Sequence, residues 1–318
     1  MSTLHRPENS TTVRSLPIGI RALRAGLWLA SRAAEPLATR VALDLFMRPR
    51  RFRRPAWERT LLFHADTEKV KWHGRTLPLW SWGEGPVVLL VHGWEGRGSQ
   101  LGAMVDPLVQ KGFRVVTFDA PGHGDGPGHH ASIPEIADAL AAVRAHVGPI
   151  HAVVAHSMGA VALMLAASRR PLATRHVSVA APTHISNAFA AFADVFELEP
   201  NVREALAHAV EDRFALRLEE LELEALAERV VAPTLVVHDR DDRDVPFASG
   251  ERLASALPNA RLLSTSGLGH RRVLRDKNVL ESIVAFVEEG APPRQRGFPL
   301  AESLVRELFD RPSRDLDV

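Results

Sequence analysis

The sequence predicts an α/β fold with a mostly parallel, eight-stranded sheet, helices on both faces and a small helical cap. Three observations predict it. Short apolar runs alternate with helical stretches along most of the chain, the pattern of a sheet built from crossover units. Most of those runs are continuous instead of alternating with polar residues, as in strands buried on both faces. One interval of about fifty residues, Pro182 to Val231, breaks the rhythm with an Ala-, Leu- and Glu-rich helical stretch between two strands, which suits an insertion over a site.

In chain order, Leu23, Leu27, Ala30, Ala34, Leu37, Val41 and Leu45 recur at three- and four-residue steps between about Leu16 and Phe46, while Arg21, Arg24, Arg32 and Arg40 fall elsewhere. One amphipathic helix is expected there, kinked by Pro36. Its stripe packs on the core of the fold or on a second copy of the chain, or else lies on a membrane surface. Arg48, Arg50, Arg51, Arg53 and Arg54 follow and read as a solvated linker in preference to a contact with an anionic surface. Val70 to Trp72 and Leu77 to Trp82 form a hairpin turned at His73-Gly74. The further strands are Val87 to Val91, Val115 to Phe118, Ile150 to Ala155, Val177 to Ala180, Thr234 to His238 and Ala260 to Leu263. Helices lie near Gly102 to Lys111, Pro134 to His146, Met158 to Arg170, Ser249 to Leu257 and Val279 to Glu288. Residues 1–60 are thus a basic helical extension and 61–290 the α/β domain, with the cap at about 183–231. Residues 291–318 are a tail with a short helix, Leu300 to Phe309.

Composition removes several chemistries. The chain has no cysteine and no tyrosine, so thiolate nucleophiles, disulfides, cysteine-held metals and phenolic acids are excluded. The first sixty residues hold 12 Lys+Arg against 4 Asp+Glu, and the remainder 27 against 34. That asymmetry marks the N-terminal segment as the basic one. No apolar run reaches the length of a membrane span and no secretory signal is present, so a cytoplasmic protein is expected, membrane-peripheral only if the N-terminal helix acts on lipid. Histidines number 15, yet no H-x-H-x-D-H or H-E-x-x-H spacing occurs, nor any glycine-rich phosphate loop. No cofactor, metal or nucleic-acid partner is expected.

The chemistry lies at the ends of the strands. Ile150 to Ala155 runs into His156-Ser157-Met158-Gly159 and then an alanine-rich helix, the strand, tight turn and helix that an exposed nucleophile needs. Val87 to Val91 ends in His92-Gly93-Trp94, and Val115 to Phe118 ends in Asp119-Ala120-Pro121-Gly122-His123-Gly124. Thr234 to Val237 exits into His238-Asp239-Arg240-Asp241-Asp242-Arg243-Asp244-Val245-Pro246, and Gly267-Leu268-Gly269-His270 follows the last strand.

These segments resemble the α/β-hydrolase superfamily over about Val70 to Glu288, specifically its esterase- and lipase-like serine hydrolases. Ala155-His156-Ser157-Met158-Gly159 is similar to the G-x-S-x-G elbow, with Ala155 for the first glycine, and makes Ser157 the nucleophile. The acid segment resembles H-G-x-x-D-x-x-V-P, with Asp239 for its glycine, and gives Asp242 as the carboxylate with Asp244 as the alternative. The resemblance implies His270 as the base and the backbone N–H groups of Trp94 and Met158 as the oxyanion hole. His92 reads as structural, and Asp119 and His123 as loop-ordering residues. Ser157 and the missing tyrosines argue against haloalkane dehalogenases and epoxide hydrolases, which use an elbow aspartate.

The expected activity is hydrolysis of a carboxylic ester through an acyl-enzyme. The apolar cap residues Phe189, Phe192, Val195 and Phe196, with Trp94 beside the oxyanion donor, suggest a small-molecule substrate with a hydrophobic part. Thioester, lactone and amide cleavage and acyl transfer stay open on the same residues, as does a non-catalytic binding or membrane-surface protein, which predicts a missing triad member.

Overall fold

The computed structural model describes residues 18–214 and 217–291; the expected tail helix at Leu300 to Phe309 lies outside them. The strands are β1 (Asp66–Trp72), β2 (Arg75–Trp82), β3 (Val87–Val91), β4 (Arg114–Phe118), β5 (Ile150–His156), β6 (Ala173–Val179), β7 (Thr234–Asp239) and β8 (Ala260–Thr265). They form one sheet in the order β1-β2-β4-β3-β5-β6-β7-β8. β1 and β2 are antiparallel to each other, and β2 to β4; every other pairing is parallel. The hairpin turns at His73 and Gly74, with φ of 42° and 70°, the paired left-handed residues that match the twist of the flanking strands. β1 begins four residues before the predicted strand, at Asp66 instead of Val70. It is one of the two edge strands, and the polar Asp66 to Lys69 carry no apolar signal.

Twelve helices are described: α1 (Ile18–Ala33), α2 (Glu35–Phe46), α3 (Ala56–Phe63), α4 (Val105–Gln110), α5 (Ile133–Val147), α6 (Met158–Arg169), α7 (Ile185–Val195), α8 (Pro200–Phe214), α9 (Leu223–Ala227), α10 (Phe247–Ala256), α11 (Gly269–Arg272) and α12 (Lys277–Glu288). Side chains of α5, α6, α9 and α10 share one core with one face of the sheet, and those of α3, α4 and α12 another with the opposite face. β3 shows the division: Leu89 and Val91 enter the first core, Val88 and Leu90 the second, and all four are fully buried. A continuous apolar run is what a strand between two cores requires. The helix expected at Gly102 to Lys111 is a 3-10 turn over Gly98–Met104 that becomes α-helical only at Val105. Gly98, Ser99 and Gly102 are poor helix formers and account for the tighter start.

The N-terminal segment departs from expectation in three ways. Its single kinked helix is two helices, broken at Ala34 (φ −156°, ψ 72°), with Pro36 in the first turn of α2. Proline lacks the amide that would continue α1 but is tolerated at a helix start. The break resets the phase, so Ala38 and Ala42 are buried while Leu37 is exposed. The stripe does not pack on the sheet: Leu27, Ala38 and Ala42 pack with Ala193, Leu198, Val202, Leu206 and Val210 of the insertion. Phe46 sits edge-on to Phe189 and Phe192, at 5.7 and 5.1 Å between ring centroids. The phenylalanines of the insertion thus pack against this third core, and Ile18, Leu29 and Leu37 are left on the outside. Finally, the arginine run is no solvated linker, since Arg50, Arg51 and Arg54 bind carboxylates and carbonyls of two loops beside the site. No described helix is long and apolar enough to cross a membrane.

Candidate active site

Between the end of β5 at His156 and the start of α6 at Met158 the chain turns on Ser157 alone. Its φ of 53° and ψ of −126° lie where a non-glycine residue costs about 1–3 kcal/mol. The Ser157 N–H donates to the Val179 carbonyl at 2.9 Å, and the Ser157 carbonyl accepts from Ala160 at 2.9 Å. Two glycines make room. A Cβ on Gly159 would lie 2.3 Å from the His92 carbonyl oxygen, and one on Gly93 would lie 2.9 Å from the Ser157 Cβ. The segment after β3 therefore runs directly against the elbow. Ala155, where the resembling motif has glycine, is fully buried within β5 between Val91 and Ser178.

His270 in α11 reaches back over the strand ends. Its Nε2 stands 3.1 Å from Ser157 Oγ, and its Nδ1 stands 2.8 Å from Asp242 Oδ2. Asp242 Oδ1 accepts the amides of Asp244 and Val245, both at 2.9 Å. Burial alone would raise the Asp242 carboxyl, but the bond to His270 and these two amides bring it below the ordinary carboxylate value,. Asp244 is exposed and joins only through its backbone N–H. Ser157, His270 and Asp242 are brought together; Asp244 is not. Among the described residues, neither the Trp94 nor the Met158 N–H donates to a protein acceptor. Met158 is the first residue of α6, whose opening amides have no intrahelical partner.

The neighbouring loops are ordered by buried polar groups. His92 Nε2 accepts from the Ala120 N–H at 3.0 Å, which leaves its Nδ1–H to the Gly93 carbonyl at 2.8 Å. Asp119, fully buried, accepts from Gly98 and Asp125 amides and from Arg54. His123 sits edge-on to Trp94, 5.2 Å between ring centroids. Two residues escaped the sequence reading. Asp239 accepts from Thr265 Oγ1 (2.7 Å) and from the amides of Asp241, Leu268 and Gly269, tying the acid loop to the His270 loop. Its only signal was a carboxylate where the motif has glycine. His156 donates from Nε2 to the His270 carbonyl at 3.0 Å, with the two rings 4.7 Å apart; nothing in the sequence distinguished it. Among the described residues no group of three or more His, Asp or Glu could hold a metal ion.

The buried histidines set a pH dependence of stability. Burial pushes His92 down to about 4, His123 to about 3, His156 to about 3 and His176 to about 4. In the unfolded chain each titrates near 6.5. Their contribution is therefore fully present above about pH 6.5 and is lost as pH falls toward 4, because the unfolded state binds the protons first. Each adds a slope of up to about 1.4 kcal/mol per pH unit in that window. The thermal midpoint is expected to drop steadily between pH 6.5 and 4.5, followed by circular dichroism; a flat midpoint would contradict this.

The model of the "Alpha/beta hydrolase family" matches residues 88–281, more than half of the chain. The chain belongs to that family. All five residues singled out from the sequence, Ser157, Asp242, His270, Trp94 and Met158, lie inside the matched region; the arginine segment lies outside it. Pimeloyl-[acyl-carrier protein] methyl ester esterase of Aromatoleum aromaticum is 28% identical over 232 residues, covering 58% of this chain and 91% of that protein. An uncharacterised protein of Mycobacterium tuberculosis is 30% identical over 232 residues, covering 69% of this chain and 75% of its own. Among solved structures, Est1E from Butyrivibrio proteoclasticus with ferulic acid bound is 19% identical with a TM-score of 0.53, covering 70% of this chain and 96% of that one. A bacterial membrane phospholipase A is 18% identical with a TM-score of 0.56, covering 86% and 96%. These two likenesses concern the fold.

Proposed function

We propose that this hydrolase-family protein is a cofactor-independent serine hydrolase that cleaves a carboxylic ester through an acyl-enzyme. The reading rests on one observation above the rest: the unbroken hydrogen-bonded line from Ser157 Oγ through His270 to Asp242 at a strained elbow. A serine hydroxyl is a weak nucleophile until a base accepts its proton. His270 Nε2 takes that proton as Oγ attacks the ester carbonyl, and Asp242 holds Nδ1–H, fixing the tautomer and stabilising the imidazolium. The tetrahedral oxyanion is held by the Trp94 and Met158 amides. On collapse the carbon–oxygen bond to the alcohol breaks and His270 returns the proton to the leaving oxygen. Water, deprotonated by His270, then attacks the acyl group; the acyl–Oγ bond breaks, His270 returns the proton to Ser157 Oγ and the carboxylic acid leaves.

The substrate is a small-molecule ester with a hydrophobic part. With the cap phenylalanines engaged in the third core, support for this comes from half-buried Trp94 next to Gly93 at the elbow. The name of the methyl ester esterase relative points the same way. A fluorophosphonate is expected to label the folded protein once, on Ser157 by peptide mass spectrometry, and p-nitrophenyl esters of increasing acyl length to give a burst of one p-nitrophenol per chain. Absence of both labelling and burst overturns the reading. Faster turnover of matched acyl thioesters would reassign the leaving group and keep the machinery.

A further inference from the structure

The arginine segment between α2 and α3 contacts the loop after β3, which runs against the elbow, and the loop after β4, which packs on it, and each contact has the geometry of a tie. Arg50 grips Glu95 with both arms of its guanidinium, Nε to Oε1 and Nη2 to Oε2, each at 2.8 Å. Its backbone N–H adds a third bond to Oε1 at 3.2 Å. Glu95 directly follows Trp94 and sits at φ 56°, a left-handed conformation that a residue without glycine's freedom keeps only when its surroundings hold it. The next two ties act on the loop beneath. Arg51 donates to the carbonyls of Gly122, Gly126 and Gly128, and Arg54 bridges buried Asp119 and exposed Asp125. That loop carries His123, against which the Trp94 ring packs, and the Ala120 amide that fixes His92.

We propose that Arg50 and Glu95 are positioning residues for the oxyanion loop, so that the N-terminal extension sets the placement of the Trp94 amide without touching substrate. The inference rests on the reading of Trp94 as an oxyanion donor. The pair is poorly suited to a merely structural role, because Arg50 is 75% exposed against 24% for Glu95 and an ion pair with one partner in solvent adds little to global stability. What it fixes is local. The guanidinium fork is matched to two carboxylate oxygens, which a lysine point charge cannot copy.

Three single variants test this, Arg50→Met, Arg50→Lys and Glu95→Gln, each checked to retain the wild-type thermal midpoint. Losing an oxyanion donor costs about 100- to 1,000-fold in kcat and a small misplacement a part of that, so Arg50→Met is expected to lower kcat for a p-nitrophenyl ester by about tenfold. KM should stay within about twofold, because the tie serves charge that develops in the transition state. Affinity for a trifluoromethyl ketone, which adds to the serine and creates the oxyanion, should fall by the same factor, with Arg50→Lys intermediate. Hydrogen exchange of the 93–97 amides should quicken in Arg50→Met. Unchanged exchange overturns the proposal whether or not the protein hydrolyses esters, and unchanged kcat and ketone affinity in an active enzyme overturn it as well. Quickened exchange in Arg50→Met, with a wild type that no fluorophosphonate labels, would leave the tie standing and remove the Ser157 reading instead.

Discussion

Replacing Ser157 with alanine is expected to lower kcat for an ester by about 10⁶-fold, the scale of removing a nucleophile whose whole catalytic unit depends on it. The protein should remain folded. Alanine keeps the Cβ that lies against Gly93, and the main-chain bonds of residue 157 to Val179 and Ala160 need no side chain. The variant loses only Oγ and its bond to His270. Residual turnover would come from binding and the two amides, which serve a water molecule poorly. Steady-state kinetics with a thermal scan decide the matter; retention of a hundredth of wild-type kcat would show that another group attacks.

Asp242→Asn is expected to cost about 10⁴-fold in kcat. The amide can still meet His270, but it no longer fixes the tautomer that leaves Nε2 free to accept the serine proton, nor stabilises the imidazolium. Asp244→Asn should stay within a few-fold of wild type, because the backbone N–H of residue 244, not its carboxylate, reaches Asp242. Equal losses in the two variants would sink the assignment. The sign of the pH effect follows from the same contacts. With the Asp242 carboxyl held below its ordinary value, this group adds no limb to the pH–rate profile above the usual carboxylate range.

The central strands and the elbow were legible for the same physical reason: each needs particular residue types at fixed spacing. A strand between two cores must be apolar throughout, as β3 is, and a turn jammed against a neighbouring loop needs glycine where the two chains meet, as Gly93 and Gly159 show. Where a constraint comes from elsewhere in the chain, the local pattern is silent. The helical stripe of the extension said that one face is buried but not that α7 and α8 bury it. The arginines looked like a linker because their partners lie 45 to 77 residues away. Asp239 looked like a defect in a motif, whereas its four hydrogen bonds join two loops. Asp242 could be preferred over Asp244 by counting, but only geometry separates a carboxylate from a neighbour that lends its amide.

The break at Ala34 has a practical consequence for anyone cutting the gene. α1 and α2 are seated on the insertion, and the arginines that follow are anchored at the rim of the sheet, so this stretch works as a strap across two parts of the molecule. A fragment trimmed to residues 47–291 would keep the sheet, both of its cores and every group in the proposed chemistry and still uncover the seam of Ala193, Leu198, Val202 and Leu206. Such a fragment should express as aggregate, and a start placed ahead of α1 should restore soluble protein.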